Sequence, residues 1–459
     1  MKEQALSRSE RALQIFTDVN PGEGRTALVM FANVFLILCA YYLIKPLREG
    51  WIAVSDVEGL SKMEVKAYSS FGQSLLLVPI VSAYGALAHR LPRARLIKRA
   101  TLFCMSNMVI FWFLQPGFLI RNLPGAGIAF YLWVGMFGVF VVAQFWAFAA
   151  DVYSVEQGNR LVPMIAIGAT AGAAVGAWVS ESLVGSSELV KKSLLLVALA
   201  PLAASIALTR WVDRLGPLGH GVPARKSPAA EPAHMRRGSL GTVFKSSYLL
   251  PVAIITLLMS WVNTNGENVL FGVVNDALAR QIAAQGITGE MDVLQFTKNG
   301  VTAFYGDFFF WVNVTAFLLQ ALVASRLLKY GGFAAILMLM PAIALMGYAT
   351  MALLPVLAVV KLMKIAENAT DYSINNTARH VLWLPVSTDM KYKGKPTIDT
   401  LFVRVGDGLA AATVLVGVQI LGLATGQYFA FTVLLVVVWI ALGVGVVREH
   451  QRLAGEAHG

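Results

Sequence analysis

A chain of 459 residues that is 57% hydrophobic and only 14% charged, with a mean hydropathy of +0.65, lies outside the composition of soluble domains and reads as a polytopic membrane protein. The net charge of +11 does not point to nucleic acid, because the basic residues gather in short stretches between apolar runs, the pattern of cytoplasmic loops. Cys39 and Cys104 both sit inside apolar runs with neither paired nor metal-type spacing, so no metal or other cofactor is expected.

Residues 1–23 reach no apolar core before Pro21, which argues against a cleavable signal. Leu6, Ala12, Leu13, Ile15 and Phe16 would instead form one face of a helix lying on the membrane. A span needs about 20 apolar residues, and roughly twelve segments approach that length. They fall near 26–50, 69–88, 100–120, 127–150, 161–184, 189–210, 247–273, 303–326, 333–353, 356–384, 397–423 and 427–447. The expected fold is all-α, with twelve transmembrane helices in two six-helix bundles, 24–211 and 246–448. Cytoplasmic segments 1–23 and 449–459 flank the bundles, and a linker, 212–245, joins them. That linker holds Pro217, Pro223, Pro228 and Pro232 without a helical period and reads as flexible. Basic stretches at 89–99, 210–245, 324–332 and 391–395 fall on one side, which places both termini in the cytoplasm; a bacterial inner membrane is the expected location. Two six-helix halves with a central linker are the plan of the major facilitator superfamily, whose substrates bind between the halves.

Several spans carry charge that hydrocarbon tolerates only at a cost of about 2.5 to 3.5 kcal/mol per group. In the first, YYLIKPLREGW, Lys45 and Arg48 are three apart on one helix face and would cradle a phosphate or carboxylate. The bland alternative is an interfacial helix end, and the continuation GWIAV favours a helix that runs on. In the fourth, Gln144 would bond a substrate or another helix, and Trp146 would stack on a base or pack; Asp151, Asn159 and Arg160 are expected to close the next turn. In the fifth, Gly168, Gly172 and Gly176 form a stripe for close helix packing. The seventh holds a polar, helix-weakening patch from Asn263 to Asn268. Its acid, Glu267, needs a proton or a cation, for which Arg48 and Arg379 are the expected partners. Tyr305, Asp307 and Asn313 mark the start of the eighth, with Asp307 as a helix cap.

The tenth span, the turn after it and the start of the eleventh carry the densest charge. Lys361, Lys364 and Glu367 step by three and suit a local ion-pair network. Tyr372, Asn376 and Arg379 share one face, the best candidate for a substrate surface. Asp371, Arg404 and Asp407 also fall at or near bilayer depth, with Arg404 either facing a cavity or snorkelling to headgroups. Lys391, Lys393 and Lys395 fill the turn between the two spans. Lys45, Arg48 and Arg379 against Glu267 make a net positive set suited to a polyanion, whether phosphate, nucleotide, sugar phosphate or dicarboxylate. Enzymatic work is not expected, since no nucleophile-base pair, metal cluster or phosphate loop is evident.

The block YSINNTARHVLWLPVSTDMKYKGKPTID, with Lys391, Lys393, Gly394, Lys395, Ile398 and Asp399 in a K-x-K-G-K-x-x-I-D turn, resembles the ATP/ADP translocase family, the nucleotide transporters of plastids and intracellular bacteria. YLIKPLRE is similar to that family's first-helix signature, and its functional lysine falls on Arg48. The family's fourth-helix acid falls on Gln144, with Trp146 matching; its seventh-helix glutamate falls on Glu267, its eighth-helix start on Tyr305 to Phe308, and its tenth-helix lysine on Arg379. The resemblance implies a major-facilitator-like fold and counter-exchange of nucleotides without hydrolysis. With Lys45, Tyr372 and Asn376 taken from the helix faces and Arg48, Gln144, Trp146, Glu267 and Arg379 from the resemblance as well, substrate binding is expected at these eight residues, and a cytoplasmic gate or turn at Lys391, Lys393, Lys395 and Asp399. Arginine for lysine keeps the charge but binds phosphate in another geometry, and Gln144 for an acid makes the set more positive. The expected partners are an anionic small molecule and membrane lipids, with the protein acting as a monomer. The competing readings are a carrier of another anion or of an anionic lipid, and a non-transporting scaffold or sensor.

Overall fold

The computed structural model describes residues 19–88, 93–119, 123–215 and 239–456. Backbone groups in hydrocarbon have no water to bond, so an apolar run must satisfy them internally, and the described residues do so as helices with no strand. The first half forms α1 (Gly24–Ala53), α2 (Lys62–Ala88), α3 (Arg93–Leu114), α4 (Ala126–Val152), α5 (Val155–Val184), α6 (Glu188–Val197) and α7 (Leu199–Leu215). The second forms α8 (Ser239–Lys245), α9 (Leu249–Gln285), α10 (Glu290–Leu319), α11 (Ser325–Leu353) and α12 (Leu357–Thr370). After these come α13 (Asn376–Val381), α14 (Thr388–Thr397), α15 (Val403–Leu415) and α16 (Thr425–Glu456). π-helical turns at Gln320–Ala324, Asp371–Asn375, Ile398–Phe402 and Val416–Leu421 join or extend neighbouring helices, and α11 breaks at Gly332, φ +65°.

Among the described residues, ten helical segments are long and apolar enough to cross a membrane. The second and tenth expected segments are helical too, as α2 and as α12 with α13, which is consistent with twelve spans. The helix carrying Lys45 and Arg48 does run on, to Ala53. Three local expectations need correction. The polar patch around Gly266 does not weaken α9, which passes through it unbroken, because tertiary contacts there outweigh intrinsic propensity. Asp307 does not stand at a helix start: the helix of the eighth span, α10, begins at Glu290, well before the apolar run, and Asp307 lies in its interior. The lysine-rich turn is itself helical, as α14, started by Ser387, whose side chain accepts from the Met390 amide. The N-terminal surface helix expected around 6–16 and the linker from 216 to 238 lie outside the described residues.

Two compact units emerge. Unit 1 comprises Met1–Val54, Pro79–Ala230 and Gly289–Val314; unit 2 comprises Ser55–Val78, Glu231–Thr288 and Thr315–Gly459. Each therefore incorporates a segment from the other half of the chain, and α2 passes from one unit to the other at Val78 and Pro79. In unit 1 the glycine stripe does what its spacing implies. A Cβ on Gly168, Gly172 or Gly176 would run into the backbone oxygen of Phe31, Phe35 or Cys39, so α5 lies directly on α1. Asn33 of α1 donates to Thr209 of α7 at 2.9 Å. Unit 2 repeats the device, with Asn265 of α9 donating to Thr432 of α16 at 2.9 Å, and Gly406 of α15 packed on the α9 backbone at Leu257.

Candidate functional site

In unit 1 the charged groups of α1 are sheathed in aromatic rings. Lys45 is 8% exposed, and its Nζ lies 3.9 Å from the Phe309 ring centre and 4.7 Å from that of Tyr42, so ring faces stand in for part of its hydration. One turn on, Arg48 bonds Glu49 at 2.9 Å while its guanidinium covers Tyr131 at 4.6 Å. The adjacent pair Tyr41–Tyr42 and the Phe-rich eighth helix signalled this cage. Gln144 is 3% exposed, and its Oε1 has no hydrogen-bond partner among the described residues; Trp146 meets Phe145 edge-on at 5.1 Å. Gln144 is not level with Arg48. Arg48 sits over Tyr131 and Tyr41 packs at Gly138, so at 1.5 Å per residue Gln144 lies about 20 Å along α4 from the Tyr131 level.

In unit 2 the expected partners of Glu267 are replaced. Its ion pair is with Lys364 at 3.6 Å, and Asn368 donates to its Oε1 at 2.8 Å. Arg48 is engaged by Glu49, and Arg379 reaches the Met259 sulfur at 3.2 Å, two turns of α9 before Glu267. Lys364 is fully buried and bonds Glu367 at 2.6 Å, as the three-residue spacing implied. Tyr348 donates to Glu367, with its hydroxyl 3.1 and 3.0 Å from the two carboxylate oxygens, and Lys364 also reaches Asn263 at 3.3 Å. A Cβ at Gly266 would strike the Tyr348 hydroxyl, which is why the patch holds a glycine. Lys66 of α2 donates to the Glu267 backbone oxygen at 3.4 Å; no spacing in the sequence pairs these helices.

Arg404 does not snorkel. It bonds Asp407 at 3.2 Å and Ser74, and Asp407 also accepts from Ser74, from Ser260 at 2.8 Å and from Thr264 at 3.0 Å. Only the four-residue step from Ser260 to Thr264 hinted at this cluster. Tyr372, Asn376 and Arg379 share an exposed face, as their spacing implied, with Tyr372 42% exposed. Asn375, beside them, turns inward to Asp371 at 2.6 Å. Beyond α13, Lys391 reaches the Leu384 oxygen at 3.4 Å, Lys395 lies 5.9 Å from the Trp383 ring centre, and Asp399 is exposed on a π-helical turn. The Lys393 side chain lies outside the described residues.

Residues 128–450, well over half of the chain, match the profile of the TLC ATP/ADP transporter family. The protein belongs to that family. The match covers Gln144, Trp146, Glu267, Tyr372, Asn376 and Arg379, whereas Lys45 and Arg48 precede it. Among curated TLC-type relatives, the ADP,ATP carrier protein 1 of Chlamydia pneumoniae is 21% identical over 336 residues, 64% of this chain and 61% of that protein. The carrier of the same name from Chlamydia muridarum is 21% identical over 333 residues, 64% of this chain and 59% of its own. The TLC-family chain thus spans about three-fifths of the length of the curated relatives it matches. Solved structures place its fold. A nucleoside transporter NupG variant superposes with a TM-score of 0.61 at 13% identity, over 92% of this chain and 99% of its own. The human organic anion transporter MFSD10 gives 0.56 at 17% identity, over 92% and 100%. The TLC-family fold here is therefore an all-α, multi-pass, major-facilitator-like architecture.

Proposed function

We propose that this protein carries an anionic, phosphorylated metabolite across a membrane by alternating access, with exchange of ATP and ADP as the leading reaction. The carrying observation is the placement of buried Lys45 and of Arg48, paired with Glu49 and only 13% exposed, inside a largely apolar spanning helix, a placement that is costly unless it serves a ligand or a pathway. Family membership supports the nucleotide, and the chlamydial relatives are named as carriers of ADP and ATP.

In this reading Arg48 and Arg379 hold phosphate oxygens, since guanidinium forks suit them, and Lys45 adds charge. Trp146 and Tyr372 offer ring faces, Gln144 and Asn376 offer amides, and Glu267 forms an ion pair that changes partner. Lys391, Lys393, Lys395 and Asp399 belong to a cytoplasmic gate. The chain works as a monomer in a bacterial inner membrane, with both termini cytoplasmic. The cargo is passed across by alternating access without being hydrolysed. Gln144 in place of an acid leaves a more positive set, which favours a second reading with another polyanion as the substrate.

Uptake of labelled ATP, ADP and other phosphates into proteoliposomes tests this. Saturable uptake, competed by unlabelled substrate and cut by about tenfold or more in Arg48→Ala or Arg379→Ala, is the expected result. Correctly inserted protein that takes up no anion at all would refute it. Preference for a non-nucleotide phosphate would select the second reading.

A further inference from the structure

We propose that unit 1 carries a lipid-binding site where the start of α3 meets the end of α7, and that it takes an anionic phospholipid whose headgroup bears two phosphates. Helix register places the site. The end of α3 is tied to α6, where the Trp112 indole N–H and the Gln115 amide donate to the Lys192 oxygen at 2.8 and 3.0 Å. At 1.5 Å per residue, Arg95 lies about 25 Å back along α3 from that tie, and Arg210 about 27 Å forward through α6 and α7. Since α3 packs directly on α7, Arg95 and Arg210 stand level on adjacent helices. Arg99 lies one turn nearer the tie and Arg214 one turn beyond it, and all four are exposed. Arg25, at the start of α1, joins them with its guanidinium 4.9 Å from the Trp211 ring centre.

Charge at this end is one-sided. The α3 segment contains no acid, α7 contains Asp213 alone, and Glu23 beside α1 is held by Arg160 at 3.0 Å. None of the five arginines forms an ion pair among the described residues. Further along α3 the exposed face of Arg95 and Arg99 turns apolar, with Leu102 45% and Phe103 68% exposed. Guanidinium followed by hydrocarbon is the order of a phospholipid read from headgroup to acyl chain. The half-exposed indole of Trp211 suits the headgroup layer. A guanidinium fork takes one phosphate by two parallel hydrogen bonds, so two level forks on helices about 8–10 Å apart suit two phosphates on one headgroup. Basic pockets between spans recur as seats for such lipids. The site rests on α3 and α7 being membrane spans and not on what the protein carries.

Thermal unfolding of the full chain in detergent, titrated with cardiolipin or with phosphatidylglycerol at equal phosphate, tests this. Cardiolipin should raise the melting temperature and saturate at a concentration about tenfold lower than phosphatidylglycerol does. Arg95→Gln with Arg210→Gln should abolish that preference, whereas Arg326→Gln with Lys329→Gln, an equal loss of exposed charge in unit 2, should leave it intact. Arg95→Lys with Arg210→Lys keeps the charge that orients the helices and should weaken cardiolipin several-fold, which guards against misinsertion of the glutamine variant. An equal response to the two lipids, loss of the preference in the unit 2 control, or parental cardiolipin binding by the lysine variant overturns the proposal. Pyrophosphate that stabilises the chain as well as cardiolipin does would overturn the assignment to a lipid.

Discussion

Two ionic networks, one buried and one part-exposed, hang on the same helix of unit 2 and are finished differently. Asp407 meets one guanidinium, and three hydroxyls, from Ser74, Ser260 and Thr264, complete its coordination. Lys364 instead stands between two carboxylates, one enclosed with Tyr348 and one partly open. A carboxylate saturated by its own fold is fixed, whereas an ammonium divided between two acids has two competing partners. Charge inside an apolar helix is thus compatible with either anchoring or response, and the number of competing partners separates the two.

Removing the shared ammonium should have the largest effect. Lys364→Met leaves two carboxylates together and should cost about 3 to 5 kcal/mol in the unfolding of detergent-purified protein, while Lys364→Met with Glu367→Leu should recover much of it. A single variant as stable as the parent would mean the network is not buried as described. Asp407→Asn should cost less, about 1.5 to 3 kcal/mol, because the hydroxyls keep an acceptor and Arg404 is part-exposed. Gly266→Ala pushes a methyl into the Tyr348 hydroxyl and should cost about 1 to 3 kcal/mol. Its effect should be non-additive with Lys364→Met and additive with Asp407→Asn, so a double-mutant cycle separates the networks.

The smallest effect lies in unit 1 and supplies a control with a known sign. Burial works against ionisation of Glu23, but the Arg160 guanidinium at 3.0 Å to each oxygen, the Asn20 amide and Gln157 outweigh it and hold the carboxyl below its ordinary value. A lowered folded value means that the stabilisation is fully present above the ordinary carboxylate range and is lost as pH falls through the folded one. Thermal unfolding followed into acid should therefore lose a component that Glu23→Gln lacks throughout. An unchanged acid limb in that variant would rule out this assignment. Arg160, at the turn after α4, holds Glu23 as well, and Ser154 and Gln157 form the capping box that starts α5.

Much of this architecture could be read in the sequence because hydrocarbon sets the length of each span and helix geometry sets the neighbours within it. The run of apolar helical segments, the α5 glycine stripe, the Lys364–Glu367 step and the open face of Tyr372, Asn376 and Arg379 all derive from spacing on one helix. What spacing cannot state is which helix lies opposite, and at what height. Glu267 met Lys364 rather than an arginine, Lys66 arrived from α2, and Ser74 reached Asp407 from 333 residues away. The sequence by itself determined the class, the order of helices and the charges each would carry. Only tertiary packing decided which charges would meet, because a pairing between helices depends on the register in which their surfaces interlock.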